Sequence, residues 1–225
     1  MSNLDDTTLD DPVGASLRSH HAALARTLGG AVTYQPDVAT FSSLTGDGWP
    51  DLAKLLGPGA FADMFSHPVA PPPGWEPVFV LEGRQMIWTG RAPDAGDVVE
   101  LGAADVPEML DLTERTRPGP FRQRTRELGT YLGVRDGGTL VAMAGERLHP
   151  PGWTEISAVC TAPEARGRGL AARLVGALVA RVMARDERPF LHVAESNVGA
   201  IALYERLGFE TRRRVIFRGF RTPTG

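Results

Sequence analysis

Two short segments carry residue types whose spacing bears on chemistry. The first is Val159-Cys160-Thr161-Ala162-Pro163-Glu164-Ala165-Arg166-Gly167-Arg168-Gly169-Leu170-Ala171. It passes from a strand-like run, through a glycine-bearing turn, into an apolar-periodic stretch. Backbone N–H groups at the start of a helix have no intrahelical acceptor, and together with the helix dipole they attract anions. Gly167 and Gly169 would let an anion approach the main chain, because neither carries a Cβ. The same glycines also suit a tight strand-to-helix connection with no ligand at all. A triphosphate loop requires Gly-Lys-Ser/Thr, and this segment has no lysine. A dinucleotide fingerprint requires a third glycine where Ala172 stands.

The second segment is Asn197-Val198-Gly199-Ala200-Ile201-Ala202-Leu203-Tyr204-Glu205-Arg206-Leu207-Gly208-Phe209. On a helix, Asn197, Ala200 and Tyr204 share one face, at i, i+3 and i+7. A polar, a small and a phenolic residue in one stripe suit an elongated ligand lying along that helix. An N-capping asparagine and a core tyrosine would give the same pattern.

The elements that must position these segments are legible in the second half. Two apolar rows, Leu170/Leu174/Leu178/Val182 and Ala171/Val175/Val179/Met183, predict a helix over 170–183. A strand at 190–193, a helix at 198–207 stopped by Gly208, and a strand at 210–220 follow. Upstream come a strand at 98–101 and a helix opened by Asp105, with Glu108 completing a capping box. Strands at 131–134 and 139–146 flank the hairpin signal Asp136-Gly137-Gly138, and a strand at 154–161 leads into the glycine turn. This is an α/β pattern whose mixed, partly antiparallel sheet is flanked by helices. In the first half the spacing of Leu17, Leu24 and Leu28 predicts a helix over 15–28 ended by Gly29-Gly30. One or two short helices are expected over 50–65, then strands at 78–81 and 85–89 joined by a turn at Gly83. Residues 91–96 have linker composition, so the chain divides into 1–95, a smaller α/β region, and 96–225.

Composition narrows the class. The 225 residues are 42% hydrophobic and 23% charged, enough for a real core. No apolar run approaches the ~20 residues of a membrane-spanning helix, and the acidic start does not resemble a signal peptide. The single cysteine, Cys160, excludes an internal disulfide framework. Residues 1–97 hold five basic and twelve acidic side chains, while 98–225 hold nineteen and fifteen. The basic half favours an anionic ligand. A pI near 6.0, without an aromatic-interleaved basic stripe, argues against nucleic acid. A cytoplasmic monomer or homodimer, with neither membrane nor nucleic acid as partner, is the expectation.

Taken together, the two segments strongly resemble the paired motifs of the GNAT family of acyl-CoA-dependent N-acetyltransferases. Arg166 to Ala171 resembles its Arg/Gln-x-x-Gly-x-Gly/Ala signature, and Asn197 to Phe209 its Asn-x-x-Ala-x-x-x-Tyr motif followed by Gly-Phe. The resemblance covers roughly 98–220, while residues 1–95 resemble no family. It implies acetyl-CoA as cofactor and an amine acceptor, with the acetyl group passing directly from thioester to primary amine in a ternary complex. The pyrophosphate would rest on the turn Arg166, Gly167, Arg168, Gly169, Leu170 and Ala171. The pantetheine arm would pair with main chain at Val159 and Thr161, where two strands splay, flanked by Asn197 and Ala200. Tyr204 would protonate the departing thiolate, or pack against the pantetheine.

Glu155 would act as base, directly or through water, with burial raising its pKa. It also reads as a solvent-facing strand residue, and His192 is the alternative base. Cys160, opposite Val159 and Thr161, is expected in the core. No metal is expected, since His20 and His21, adjacent on a helix and read as surface residues, cannot easily share one. Only sixteen residues follow Phe209, room for one closing strand where the family commonly has two. Residues 1–95 would then supply the missing strand or form a degenerate copy of the fold. Arg117, Arg122, Arg124 and Arg126 lie where the family builds its acceptor pocket, and suit either a carboxylate-bearing acceptor or a solvated helix face. A non-catalytic acyl-CoA sensor and a regulatory module are the alternative functions.

Overall fold

A computed structural model of the chain describes residues 6–65, 70–90 and 97–224. The linker at 91–96, and with it the expected boundary, lies outside the described residues. Helix α1 (Pro12–Leu17) opens on Asp11, whose carboxylate accepts from the Gly14 amide at 2.9 Å. Strands β1 (Ala25–Leu28), β2 (Ala31–Tyr34) and β3 (Ser42–Leu44) form a small antiparallel sheet. The helix expected over 15–28 is therefore corrected. It stops at Leu17, and residues 25–28 pair with 31–34 across the Gly29-Gly30 turn instead of stacking on a helix face. After α2 (Trp49–Leu56), Gly57 takes φ 93 and ends the helix, and β4 (Phe61–Phe65) follows. Here too strand pairing overrides the helical expectation for the end of 50–65.

β5 (Glu76–Trp88) runs unbroken through Gly83, where a turn was expected. A Cβ there would stand 2.4 Å from the Phe217 ring and 2.7 Å from the Val193 carbonyl oxygen. That glycine permits close packing within the sheet rather than a bend. The remaining elements are β6 (Val99–Glu100), α3 (Val106–Thr116), β7 (Tyr131–Asp136), β8 (Thr139–Glu146), β9 (Trp153–Thr161), α4 (Leu170–Met183), β10 (Arg188–Ala194), α5 (Val198–Leu207) and β11 (Phe209–Arg221). The capping box expected at α3 is not made. Asp105 accepts from the Gly102 amide, and Glu108 pairs with Arg135.

The main sheet has eight strands in the order β4-β11-β5-β10-β9-β8-β7-β6, and β9–β10 is its parallel pair. β5 enters between β10 and β11, and β4 adds beyond β11, so two strands from before residue 95 lie in this sheet. Alternation then divides the core. Leu191 and Val193 face a cluster that holds Leu174, Leu178, Met109 and Leu112 from α4 and α3. Phe190 instead joins a second cluster with Leu9, Val13, Tyr34, Phe41 and Phe65, the layer contributed by the N-terminal residues.

Candidate active site

The glycine turn is built by backbone conformation. β9 ends at Thr161, a 3-10 turn covers Pro163–Ala165, and Gly167 and Gly169 take φ of 77 and 73. Left-handed φ strains any residue with a Cβ, which is why glycine stands at both. A Cβ at either position would point into open space, so neither glycine is there to relieve crowding. Gly169 caps α4 without a side-chain hydrogen bond, and the amides of residues 167–172 meet no acceptor among the described residues. Six donors thus gather at the positive end of a 14-residue helix. The donor set and the open space fit a diphosphate.

The neighbouring strand opens beside that turn. β9 pairs with β10 only over Trp153–Glu155 against Arg188–Phe190, and beyond this the two strands part. A bulge assists the parting. Between the pairs Met143–Cys160 and Gly145–Ser157, two residues of β9 face the single residue Ala144, and Ala158 takes φ 52. A left-handed alanine is uncommon, and such strain gathers at functional sites. The freed edge from Ile156 to Thr161 lines a cleft of about 510 Å³, whose other wall holds Ala194, Asn197, Ala200, Leu203 and Tyr204.

Of the residues expected at the site, Val159, Thr161, Arg166, Ala171, Asn197, Ala200 and Tyr204 line this cleft. Gly167, Arg168 and Gly169 stand outside its lining at the turn, and Leu170 turns its side chain into the core. Asn197 also caps α5, its Oδ1 accepting from the Ala200 amide at 3.2 Å. The Tyr204 ring packs edge-on against Phe209 at 5.9 Å, and its hydroxyl has no hydrogen-bond partner among the described residues. Burial pushes that phenol up to about 12, so it stays protonated at neutral pH and can donate. Cys160 is buried, and burial raises its thiol, as a core residue requires.

Glu155 departs from expectation. It is fully buried and does not line the cleft. Arg147 grips it with two bonds, Nε to Oε2 at 2.8 Å and Nη2 to Oε1 at 2.6 Å, and the Leu148 amide adds a third at 3.3 Å. His192 Nδ1 lies 2.7 Å from Oε1. Burial alone would raise this carboxyl, but Arg147 and His192 outweigh it and hold it down to about 2. The expected upward shift is therefore reversed.

His192 is also engaged at its other nitrogen. Gln85 accepts from Arg212 at its oxygen and donates to the Leu9 carbonyl, so its remaining amide proton faces His192 Nε2 at 3.1 Å. This fixes a neutral imidazole with hydrogen on Nδ1. Phe41 and Phe65 each stack on the Arg147 guanidinium at 5.1 Å. Sequence reading missed Arg147, Gln85 and both aromatics, because long-range packing brings them together and no local spacing marks them.

His20 and His21 part company. His20 is exposed, but His21 is buried between Tyr34 Oη (2.8 Å) and the Leu128 carbonyl (3.0 Å), which corrects its reading as a surface residue. His20, His149 and Glu187 come together, yet the two imidazoles stack face to face at 3.9 Å. Stacked rings aim their in-plane lone pairs alongside each other, not at one ion.

The chain is similar to several known proteins. The family model described as FR47-like protein matches residues 131–217. A solved structure from Novosphingobium aromaticivorans, assigned as an acetyltransferase of the GNAT family, is 42% identical, with TM-score 0.89 over 94% of this chain and 97% of that one. An uncharacterised protein of Mycobacterium leprae is 32% identical over 91% of this chain and 64% of its own length. The N-alpha-acetyltransferase RimI of Mycobacterium tuberculosis is 38% identical over 41% of this chain and 62% of its own. The match thus spans less than two thirds of either mycobacterial protein.

Proposed function

Because the chain belongs to the GNAT family of acyl-CoA N-acetyltransferases, we propose that it transfers an acetyl group from acetyl-CoA to a primary amine. The amine nitrogen attacks the thioester carbonyl within a ternary complex, the C–S bond breaks, and the thiolate takes a proton. The observation that carries this reading is the pairing of a freed β9 edge with six unpartnered amides at the start of α4.

When bound, acetyl-CoA supplies the activated acyl group. The amides of Gly167, Arg168, Gly169, Leu170 and Ala171 hold its diphosphate, with Arg166 at the cleft rim. Main chain at Val159 and Thr161 takes the amides of the arm, and Asn197 and Ala200 form the opposite wall. Tyr204 gives its proton to the leaving sulfur, since it lines the cleft, its hydroxyl has no partner among the described residues, and the phenol is protonated at neutral pH. Glu155 was expected as the base. Bound to Arg147 and held near 2, it serves instead to position Arg147 and His192, and the amine loses its proton to water in the open cleft.

The test follows thiol release from acetyl-CoA with a panel of amines. Tyr204→Phe is expected to lower kcat tenfold or more, with acetyl-CoA affinity within about twofold of wild type. Unaltered turnover in that variant removes Tyr204 from the mechanism. Acetyl-CoA binding without thiol release from any amine favours the sensor reading.

A further inference from the structure

We propose that the acceptor amine carries a carbonyl or carboxylate oxygen close to its amino group, and that Tyr131 and Arg147 hold that oxygen. This rests on the reading of the cleft as an acyl-transfer site and names its substrate class.

A small recess of about 10 Å³ adjoins the main cleft, and the two share Pro118, Gly119, Arg147, Ser157 and Ala158. That volume approaches what one oxygen atom needs. The recess also touches Tyr131, which is 1% exposed and whose hydroxyl has no partner among the described residues. Buried hydroxyls almost always find partners, so an orphan beside a cavity points to a missing hydrogen-bond partner, which a ligand oxygen can supply. Arg147 supplies a second donor. Its Nε and Nη2 are spent on Glu155, while Nη1 meets no acceptor among the described residues, and the side chain lines both cavities.

Arg147 can only donate, and Tyr131 has an O–H to donate beside it. Burial raises the Tyr131 phenol, so it keeps its proton. Glu155 offsets the guanidinium charge, and the recess therefore suits a neutral carbonyl as well as a carboxylate. The wider cleft agrees. Its described lining includes Arg117, Arg147 and Arg166 and no carboxylate. A bare alkylammonium finds no counter-charge there, whereas a zwitterion carries its own and an α-amine beside a carbonyl, with a pKa of about 8 rather than about 10.4, more readily enters neutral.

The experiment compares matched acceptors with acetyl-CoA: phenylalanine, phenylalaninamide and phenethylamine, then alanine, alaninamide and ethylamine. The oxygen-bearing members are expected to show kcat/KM at least tenfold above the simple amines. The acid and amide arms separate a free amino acid from a peptide-like acceptor. Tyr131→Phe keeps the ring that packs on Phe121 and Gly145, so the fold is retained. It is expected to erase the preference by raising acceptor KM while leaving the KM of acetyl-CoA unchanged. Equal rates for simple amines, or an unchanged acceptor KM in the variant, overturns the proposal.

If no amine in any arm releases thiol, it is the acyl-transfer reading that fails. The oxygen site is then read alone by titrating N-acetylphenylalanine in the presence of coenzyme A. Binding at least tenfold tighter to wild type than to Tyr131→Phe supports the site, and equal or absent binding overturns it.

Discussion

The glycine turn stands beside the cleft and the Arg147–Glu155 pair behind it, with Arg147 in its lining, and the two are built in opposite ways. The turn is local and exposed, and what it presents is main-chain amides, so thirteen consecutive residues from Val159 to Ala171 specify it. The pair is buried and made of charged side chains from β9 and the β8–β9 connection. It survives there only because Phe41, Phe65 and His192 enclose it and Gln85 holds His192 in one tautomer. A backbone site tolerates water and needs few neighbours. A buried ion pair must have every partner in place, since desolvation costs several kcal/mol per ion unless geometry repays it. The two regions therefore differ in what breaks them.

The largest effect is expected at the pair. Glu155→Gln leaves Arg147, whose side chain is 12% exposed at the cleft, without its counter-charge, and removing one member of a buried pair typically costs about 3–5 kcal/mol, the ceiling expected here. Denaturant unfolding should show that loss, with the amides of the turn still able to bind coenzyme A wherever the protein is folded. A variant as stable as wild type would mean that Arg147 finds another anion or solvent, and the contrast between the regions would fall.

His21 tests the same dependence on the N-terminal layer through pH. Burial lowers its pKa from 6.5 to about 4, with the bond to the Leu128 carbonyl opposing. A depressed pKa contributes stability that is fully present above 6.5 and is lost as pH falls toward 4, because the unfolded chain takes up the proton first. At ~1.4 kcal/mol per unit the contribution is on the order of 3 kcal/mol. Asp63, raised to about 6 by burial, pulls the other way over part of this window. The wild-type profile alone is thus ambiguous, and the difference from His21→Gln isolates the histidine. The variant should be less stable at pH 8, and the gap should narrow between pH 6.5 and 4. A gap constant with pH would show that His21 contributes hydrogen bonds without a linked proton.

How much of this was readable in advance follows the same division. The helix over 170–183, the 131–146 hairpin and the glycine turn were legible, because each rests on periodicity or on a turn residue within a short window. The face shared by Asn197, Ala200 and Tyr204 was legible for the same reason, and all three line the cleft. The strands β1 and β4 carry helix-like spacing but form strands: β1 pairs with the adjacent β2 across Gly29-Gly30, a hairpin that the leucine spacing masks, and the partner of β4 is the distant β11, so pairing overrode local propensity. Glu155 was singled out by its position on β9, yet its pKa depends on Arg147, which no motif marks. The bulge at Ala158 left no trace, because the residue in the left-handed region is not glycine.

Within the turn, Gly169→Glu is expected to weaken acetyl-CoA binding at least 100-fold, measured by calorimetry. Its side chain would enter the open space before the amides and bring negative charge to the helix start. Gly169→Ala separates the causes. It imposes the left-handed strain of φ 73, about 1–2 kcal/mol, without charge or bulk. Normal affinity in the glutamate variant would mean that no anion sits on these amides.

Arg168 should matter least, and for that reason it sharpens the contrast. Its guanidinium pairs with Asp136 at 2.6 Å, with both side chains about half exposed, at 50% and 54%. Exposed pairs of this kind contribute little, since solvent and salt screen them. If main-chain amides supply the grip, Arg168→Ala leaves Tm unchanged and lowers acetyl-CoA affinity about twofold or less, with a shallow dependence on salt. A tenfold loss that steepens at low ionic strength would move the grip from backbone to side-chain charge. The turn would then resemble the Arg147 region in kind, and the glycines would be read as geometry that aims an arginine.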